Sequence, residues 1–244
     1  MIFKLAHLTF CVSSIEEVAT DLLSLGFGQH FYDKEAKNPK IKKDLMRDYV
    51  ELHDLVLFSK NQWPSIELVR YHKFIQQQRH SALLQDIFVN EEDFFDEAID
   101  KNFFSIGENS TSKHLVRVSK NSCILQTRNI EQSKIFWGGL GFKVVKQQSL
   151  QVIMCFNSIV QVGSFFLILQ ENQDVPITEN KWLDDSGAFV CAFLSTSLEL
   201  DIKRLLSLGF VTATEIEKFF INGKWLQIAF IRGCQNEFVE LISM

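Results

Sequence analysis

The tripeptide Leu-Gly-Phe occurs three times in the chain, at residues 25–27, 140–142 and 208–210. Each copy follows a helical pattern; in the first, Ile15, Val18, Leu22 and Leu25 are spaced three and four apart and share one helix face. The glycine then stands where a helix commonly ends in a left-handed residue. A weaker copy at 101–103 has Asn in place of Gly. This repetition predicts four units built on one plan.

Strand-like runs accompany each predicted helix and complete the unit. The runs that precede the helices lie at 3–12, 82–89, 122–127 and 188–194. Those that follow the first, third and fourth helices lie at 54–59, 66–71, 151–156, 165–170, 225–231 and 237–242. The unit is therefore a strand, a helix and up to three further strands.

The second unit is shorter than the others. Its landmark Asn102 lies 39 residues before Gly141, against 76 and 68 residues for the flanking intervals. After a helix at 91–100 there is room for two short strands, at 103–107 and 115–118, with a polar loop at 107–113. A second loop is predicted at 34–47, where the sequence is charged and contains Asn-Pro.

Composition narrows the environment and the partners. The 244 residues are 46% hydrophobic and carry a net charge of −5 with both signs dispersed, so neither nucleic acid nor an anionic membrane is an expected partner. Five cysteines with no C-x-x-C pair indicate thiols in a reducing compartment. With no signal-peptide pattern and no apolar run long enough to cross a bilayer, the protein is expected to be cytoplasmic.

Four strand–helix–strand units with glycine-ended helices resemble the vicinal oxygen chelate superfamily, which includes glyoxalase, bleomycin-resistance proteins and extradiol dioxygenases. The resemblance is carried by residues 7–27, 122–142 and 237–241. It implies an α+β fold of four βαβββ-type modules, the second truncated, paired into two open β-cups with helices on the outside. It also implies two glyoxalase-like domains: residues 1–120 for modules 1 and 2, and residues 121–244 for modules 3 and 4.

The resemblance further implies a divalent metal held in a cup by His from first strands and Glu from last strands. His7 stands 19 residues before its glycine, and Glu67 and Glu240 lie in apolar-Glu-apolar runs, so these three are the candidate ligands. The first-strand positions equivalent to His7 in modules 2, 3 and 4 are Leu83, Ser122 and Val190, which are poor metal ligands or none. The sequence is therefore expected to support either one divalent ion in a degenerate site or no cofactor.

The pairing of the modules decides whether these ligands meet. If modules 1 and 2 pair, as in dioxygenases, their cup holds only His7 and Glu67. If modules 1 and 4 pair, as in fused glyoxalases, Glu240 joins them. The sequence leaves both pairings open.

Strand alternation predicts which side chains face the cups, because residues two apart share a face. His7, Thr9 and Cys11 form one such set, and Glu67, Val69 and Tyr71 another. The ligand pocket is predicted to include Thr9, Tyr71, Gln126, Trp225 and Gln227. Outside the pocket, residues 70–73 are expected to form a basic surface turn, and the following histidines are expected to be solvated: His53, His72, His80 and His114.

Three classes of function remain after this reading. The first is a small-organic-molecule binder that resembles bleomycin-resistance proteins and keeps a degenerate metal site. The second is a metal-dependent lyase, isomerase or dioxygenase that uses His7, Glu67 and Glu240. The third is a non-catalytic scaffold or interaction protein. The expected partner is a small molecule, and the expected state is a monomer or homodimer; phosphate-loop, serine-elbow and H-E-x-x-H motifs are absent from the sequence.

Overall fold

A computed structural model gives the structure of most of the chain. It describes residues 1–60, 64–72, 81–87, 102–108, 116–119, 121–157, 160, 163–173, 182–185, 187–233, 235 and 237–244. For the strands at 81–87, 102–108 and 116–118 the description rests on the backbone.

Three α-helices, sixteen strands and one 3-10 helix make up the described part. The helices are α1 (Ile15–Ser24), α2 (Ile130–Gly139) and α3 (Leu198–Leu206), and the 3-10 helix spans Lys40–Leu45. The first eight strands are β1 (Ile2–Cys11), β2 (Gly28–Lys37), β3 (Leu52–Ser59), β4 (Ser65–Tyr71), β5 (Ser81–Ile87), β6 (Asn102–Glu108), β7 (Val116–Val118) and β8 (Ser122–Thr127). The remaining strands are β9 (Lys143–Gln148), β10 (Gln151–Asn157), β11 (Ser164–Glu171), β12 (Phe189–Ser195), β13 (Thr212–Ala213), β14 (Glu217–Ile221), β15 (Lys224–Arg232) and β16 (Phe238–Ser243).

The helix ends follow the signals in the repeat. The Ser14 side chain accepts a hydrogen bond from the Glu17 amide at the start of α1, and Asn129 caps α2 in the same way. After these helices, Gly26 and Gly141 have φ of 82° and 106°, a region that side-chain-bearing residues rarely adopt. The predicted glycine-ended helices are confirmed at these positions.

The first sheet joins module 1 to module 4. Its strand order is β13-β15-β16-β12-β1-β4-β3-β2, with β14 also paired to β15. The first strands of the two modules, β1 and β12, lie antiparallel at the centre, and each is parallel to the last strand of its own module. Of the two pairings that the sequence leaves open, the structure has the glyoxalase-like one.

The second sheet joins modules 2 and 3 in the order β5-β6-β7-β8-β11-β10-β9. After residue 101 the truncated module contributes β6 and the three-residue β7, which confirms two short strands there. Because these strands are so few, β5 to β8 run as an antiparallel meander, and β5 lies at the sheet edge. The predicted helix at 91–100 lies outside the described residues, and the division into domains at residue 120 stays a prediction.

One apolar core connects the two sheets through the three helices. It contains Leu8 and Phe10 of β1, Trp137 of α2 and Phe193 of β12, each at most 1% exposed. The opposite face of the first sheet, which carries His7, forms a second and smaller apolar cluster with the 3-10 helix. The helices therefore cover one face of the sheet and leave the other as a cup, as predicted.

The segment at 34–47, predicted as a loop, is more ordered than expected. The end of β2 and the 3-10 helix both lie in it. The carboxylate of Asp184 accepts hydrogen bonds from the amides of Arg47 and Asp48, and Glu217 accepts one from the amide of Ile41. These side chains supply what the sequence pattern lacks, and they hold the segment against the cup.

No helix in the described ranges is long and apolar enough to span a membrane. Four of the five cysteines are described, and they are buried and form no disulfide with one another. The cytoplasmic location stays a prediction.

Candidate metal centre and adjoining cavity

His7, Glu67 and Glu240 meet on the concave face of the first sheet. They lie on β1, β4 and β16, and one potential ligand atom from each lies within 4.8 Å of the others. The His7 Nε2 atom is 3.6 Å from an oxygen of Glu67 and 3.6 Å from an oxygen of Glu240. The predicted approach of His7 to Glu67 is confirmed, and the module pairing adds Glu240.

The strand register places the two glutamates at equivalent points. Thr9 on β1 lies beside Glu67 on β4, and Ala192 on β12 lies beside Glu240 on β16. Modules 1 and 4 are thus related by an approximate two-fold axis between β1 and β12. The two carboxylates approach the centre from opposite sides of this axis.

The same axis identifies the position that lacks a ligand. His7 lies two residues before Thr9, and its counterpart two residues before Ala192 is Val190. Val190 is 5% exposed and has no atom that can bind a metal. Three of the four symmetry-related positions therefore carry ligands.

The three ligand side chains are largely shielded from solvent, each 13–14% exposed. Burial lowers the pKa of His7, but the carboxylates of Glu67 and Glu240 outweigh this, and the net pKa lies above the ordinary value of 6.5. The Thr9 hydroxyl donates a hydrogen bond of 3.0 Å to Glu67, which fixes the orientation of that carboxylate.

The donor set fits a divalent metal ion. Within the part of the chain that the structure describes, the buried His7 Nε2 makes no hydrogen bond. Ligands about 2.1 Å from a tetrahedral ion lie about 3.4 Å from one another, which is close to the two separations of 3.6 Å. One imidazole nitrogen and two carboxylate oxygens suit zinc and the neighbouring first-row ions.

A cavity of about 250 Å³ adjoins the three ligands. Its wall is mainly apolar and comes from β3, β4, β14, β15 and β16. The apolar lining residues are Ala6, Phe31, Pro39, Leu55, Leu57, Val69, Leu194, Phe219, Ile221, Leu226, Ile228, Ile242 and Met244. A tight turn at Asn222 and Gly223, both with positive φ, connects β14 to β15 at its rim.

Lys42 places a positive charge beside this otherwise acidic centre. It lies on the 3-10 helix and lines the cavity, with its ammonium 5.3 Å from the centre of the Phe230 ring and 5.8 Å from that of Tyr71. Cation–π contacts of this kind hold a lysine over apolar surface. The segment predicted as a loop therefore contributes to the site.

His53 also lines the cavity, and the sequence interpretation placed it wrongly in solvent. It lies on β3, is 1% exposed, and has its ring centre 5.8 Å from that of Tyr71. Burial and the charge of Lys42 lower its pKa to about 3. Alternation could have identified it, because His53 is in phase with Leu55 and Leu57 on the same cup-facing strand.

The predicted pocket residues divide into two groups. Thr9 and Tyr71 line a small space of about 20 Å³ on the other side of Glu67 and Glu240. Gln126 lies on the second sheet, where it accepts a hydrogen bond from Asn172.

Two more predicted pocket residues lie on β15, in the first sheet. Trp225 is 68% exposed and stacks on Phe220, and Gln227 is exposed and accepts a hydrogen bond from Ser243. Neither lines the cavity. A ligand role for these residues and for Gln126 stays a prediction.

The predicted basic surface turn is wrong at its start. Arg70 and Tyr71 belong to β4, and the Arg70 guanidinium donates to the buried carboxylate of Asp54. His72, predicted to be solvated, contacts Asp54 at 2.9 Å and is about one-third exposed. Two further histidines, His80 and His114, lie outside the described residues.

Comparison with solved structures confirms the predicted fold. A single-residue variant of glyoxalase I from Zea mays is similar with a TM-score of 0.60 and 11% identity, over 98% of this chain and 92% of that one. Unmodified maize glyoxalase I gives a TM-score of 0.56 at 10% identity over the same shares. A proposed dioxygenase from Bacillus subtilis gives 0.52 at 11% identity, over 99% of this chain and 85% of that one. The chain has the vicinal oxygen chelate fold.

No family model matches the chain, and no curated protein is significantly similar to it.

Proposed function

We propose that the protein binds one divalent metal ion through His7, Glu67 and Glu240 and holds a small organic molecule in the adjoining cavity. An oxygen atom of that molecule would complete the coordination of the ion. The protein would then be a metal-dependent lyase, isomerase or dioxygenase.

The observation that supports this proposal most strongly is the His7 imidazole. Its Nε2 atom is buried, makes no hydrogen bond to any described residue, and stands 3.6 Å from each of two carboxylates. Leaving a buried polar atom unpaired costs about 1–3 kcal/mol, so a partner that is not part of the chain is expected. A metal ion would satisfy all three side chains at once.

The residues around the ligands have separable tasks in this proposal. A divalent ion bound there supplies a Lewis acid that polarises oxygen atoms of the bound molecule. Thr9 holds the Glu67 carboxylate in place by its hydrogen bond. The apolar wall excludes water and thereby strengthens every charge interaction in the cavity. Lys42 offsets the negative charge of the two glutamates.

A metal-free binding protein is the second candidate, and two observations favour it. The fourth ligand position is Val190, and the raised pKa of His7 allows an imidazolium that the two carboxylates neutralise. In that case the three side chains would form an ion cluster, and the cavity alone would bind the organic molecule.

Metal titration of chelator-treated protein distinguishes the candidates. We expect one equivalent of an ion among Zn²⁺, Mn²⁺, Co²⁺ and Ni²⁺ to bind the wild type, measured by calorimetry and by elemental analysis after dialysis. Glu67→Gln and Glu240→Gln should each lose stoichiometric binding, because only three protein ligands are present. Glu199→Gln, a change on the exposed face of α3, is the matched control and should bind like the wild type.

Two results would contradict the proposal. Stoichiometric metal retained in both glutamine variants would place the ligands elsewhere. A wild type that takes up none of the four ions would refute the metal site and favour the metal-free binding protein.

A further inference from the structure

His53 is a buried polar side chain in the cavity wall, apart from the three metal ligands. It is 1% exposed, and its Nδ1 atom finds no hydrogen-bond partner among the described residues. Its neighbours in phase on β3, Leu55 and Leu57, also line the cavity. A buried nitrogen on an apolar wall costs stability unless something else pairs with it.

The hydrogen bonding of the ring determines what Nδ1 can do. The imidazole donates to the backbone carbonyl of Ala36 on the neighbouring strand β2. Because Nδ1 makes no such bond, the donating atom is Nε2, and Nδ1 carries a lone pair. Burial and the Lys42 charge keep the pKa far below neutrality, so this lone pair is not protonated at neutral pH.

We infer that Nδ1 of His53 accepts a hydrogen bond from the molecule that the cavity binds, and that the cavity selects apolar molecules that carry an O–H or N–H donor. This inference rests on the small-molecule binding in the proposed function and does not depend on the metal. It names a recognition element: an apolar body against the wall, with a donor directed at His53.

The nearby polar groups support this assignment. The ammonium of Lys42 donates hydrogen bonds and cannot accept them, and the two glutamates are engaged around His7. An acceptor on the wall formed by β3 is thus provided by His53. A molecule without a donor would leave this acceptor unpaired, which is the basis of the selectivity.

The test compares two probes of nearly equal shape, benzyl alcohol and ethylbenzene, which differ by a hydroxyl in place of a methyl group. Affinities are measured by NMR titration on chelator-treated full-length protein, for the wild type and for His53→Phe. Leu57→Ala, a change at another lining residue, is the control. The ratio of the two affinities in the wild type, divided by the ratio in the variant, isolates the contact between the hydroxyl and His53.

We expect this quotient to favour the alcohol by about 2- to 10-fold, as one net hydrogen bond gives. For Leu57→Ala the affinity ratio should match the wild type within about two-fold. In the wild type, the ¹⁵N resonance of His53 Nδ1 should move on addition of benzyl alcohol and stay in place with ethylbenzene. This second measurement does not require that the Phe variant folds.

The outcomes separate the inference from the proposed function. A quotient near one, or an Nδ1 resonance that does not respond to the alcohol, overturns the role of His53 and leaves the metal test untouched. If neither probe binds, both the cavity ligand and the role of His53 fall. A clear alcohol preference in a protein that takes up no metal supports the inference while the metal site fails.

Discussion

The stability of the protein should depend on pH through His53. In the folded state its pKa is about 3, against 6.5 for an exposed imidazole. Between these values the unfolded chain binds a proton that the folded chain does not, so the unfolded state gains as the pH falls. The contribution of His53 to stability is therefore complete above pH 6.5 and decreases as the pH falls toward 3.

The size of the effect follows from the two pKa values. At pH 5 the unfolded imidazole is almost fully protonated and the folded one almost fully neutral, so the linkage relation gives a loss of about 2 kcal/mol relative to pH 8. This figure is insensitive to the folded value, because any pKa well below 5 gives nearly the same result. Since His53 is 1% exposed, solvent screening does not reduce it appreciably.

The measurement is urea unfolding at pH 8 and pH 5, performed on the wild type and on His53→Phe. The wild type should lose about 2 kcal/mol more between the two pH values than the variant, which has no titrating group at this position. The Leu57→Ala protein, destabilised at both pH values, should keep the pH dependence of the wild type. Equal losses in the wild type and the Phe variant would show that His53 is not buried in a neutral form.

Three further predictions concern other residues. Val190→His supplies the missing symmetry-related ligand and should tighten metal binding by about tenfold or more, measured by calorimetry; unchanged affinity would show that position 190 does not face the ion. Asp54→Ala removes the partner of Arg70 and should lower the unfolding free energy by about 2–3 kcal/mol, less than for a fully buried pair because Arg70 is one-third exposed. Gly141→Ala forces a side chain into φ of 106° and should cost about 1–2 kcal/mol in urea unfolding, whereas Gly138→Ala, within α2 and with open space around it, should not destabilise.

Much of the fold could be predicted because the modules repeat their local signals. The glycine positions and the apolar periodicity fixed the ends of α1 and α2 to within one residue. Strand β2 was missed, because Gly28–Lys37 is mostly polar and exposed and has no alternating apolar pattern. Its hydrogen bonds to β3 stabilise it, and such pairing is not visible in its own sequence.

The candidate site was predictable only in part, for a related reason. His7 and Glu67 belong to one module and could be placed by counting and alternation. Glu240 joins them through contact between β1 and β12, and each module has the same local pattern whichever partner it takes. His53 and Lys42 escaped notice because their burial depends on the packing of the 3-10 helix against the cup, which distant residues such as Asp184 determine.

The strand order also has a consequence for synthesis on the ribosome. Strand β1 is complete at residue 11, but its central neighbour β12 begins only at residue 189. At about 5–20 residues per second, roughly 10–40 s separate the emergence of the two strands. During that interval the edge of β1 has unpaired backbone groups, and such edges invite pairing with other chains. Newly made protein should therefore depend on chaperones in proportion to the delay, and slower translation between modules 1 and 4 should increase aggregation rather than relieve it.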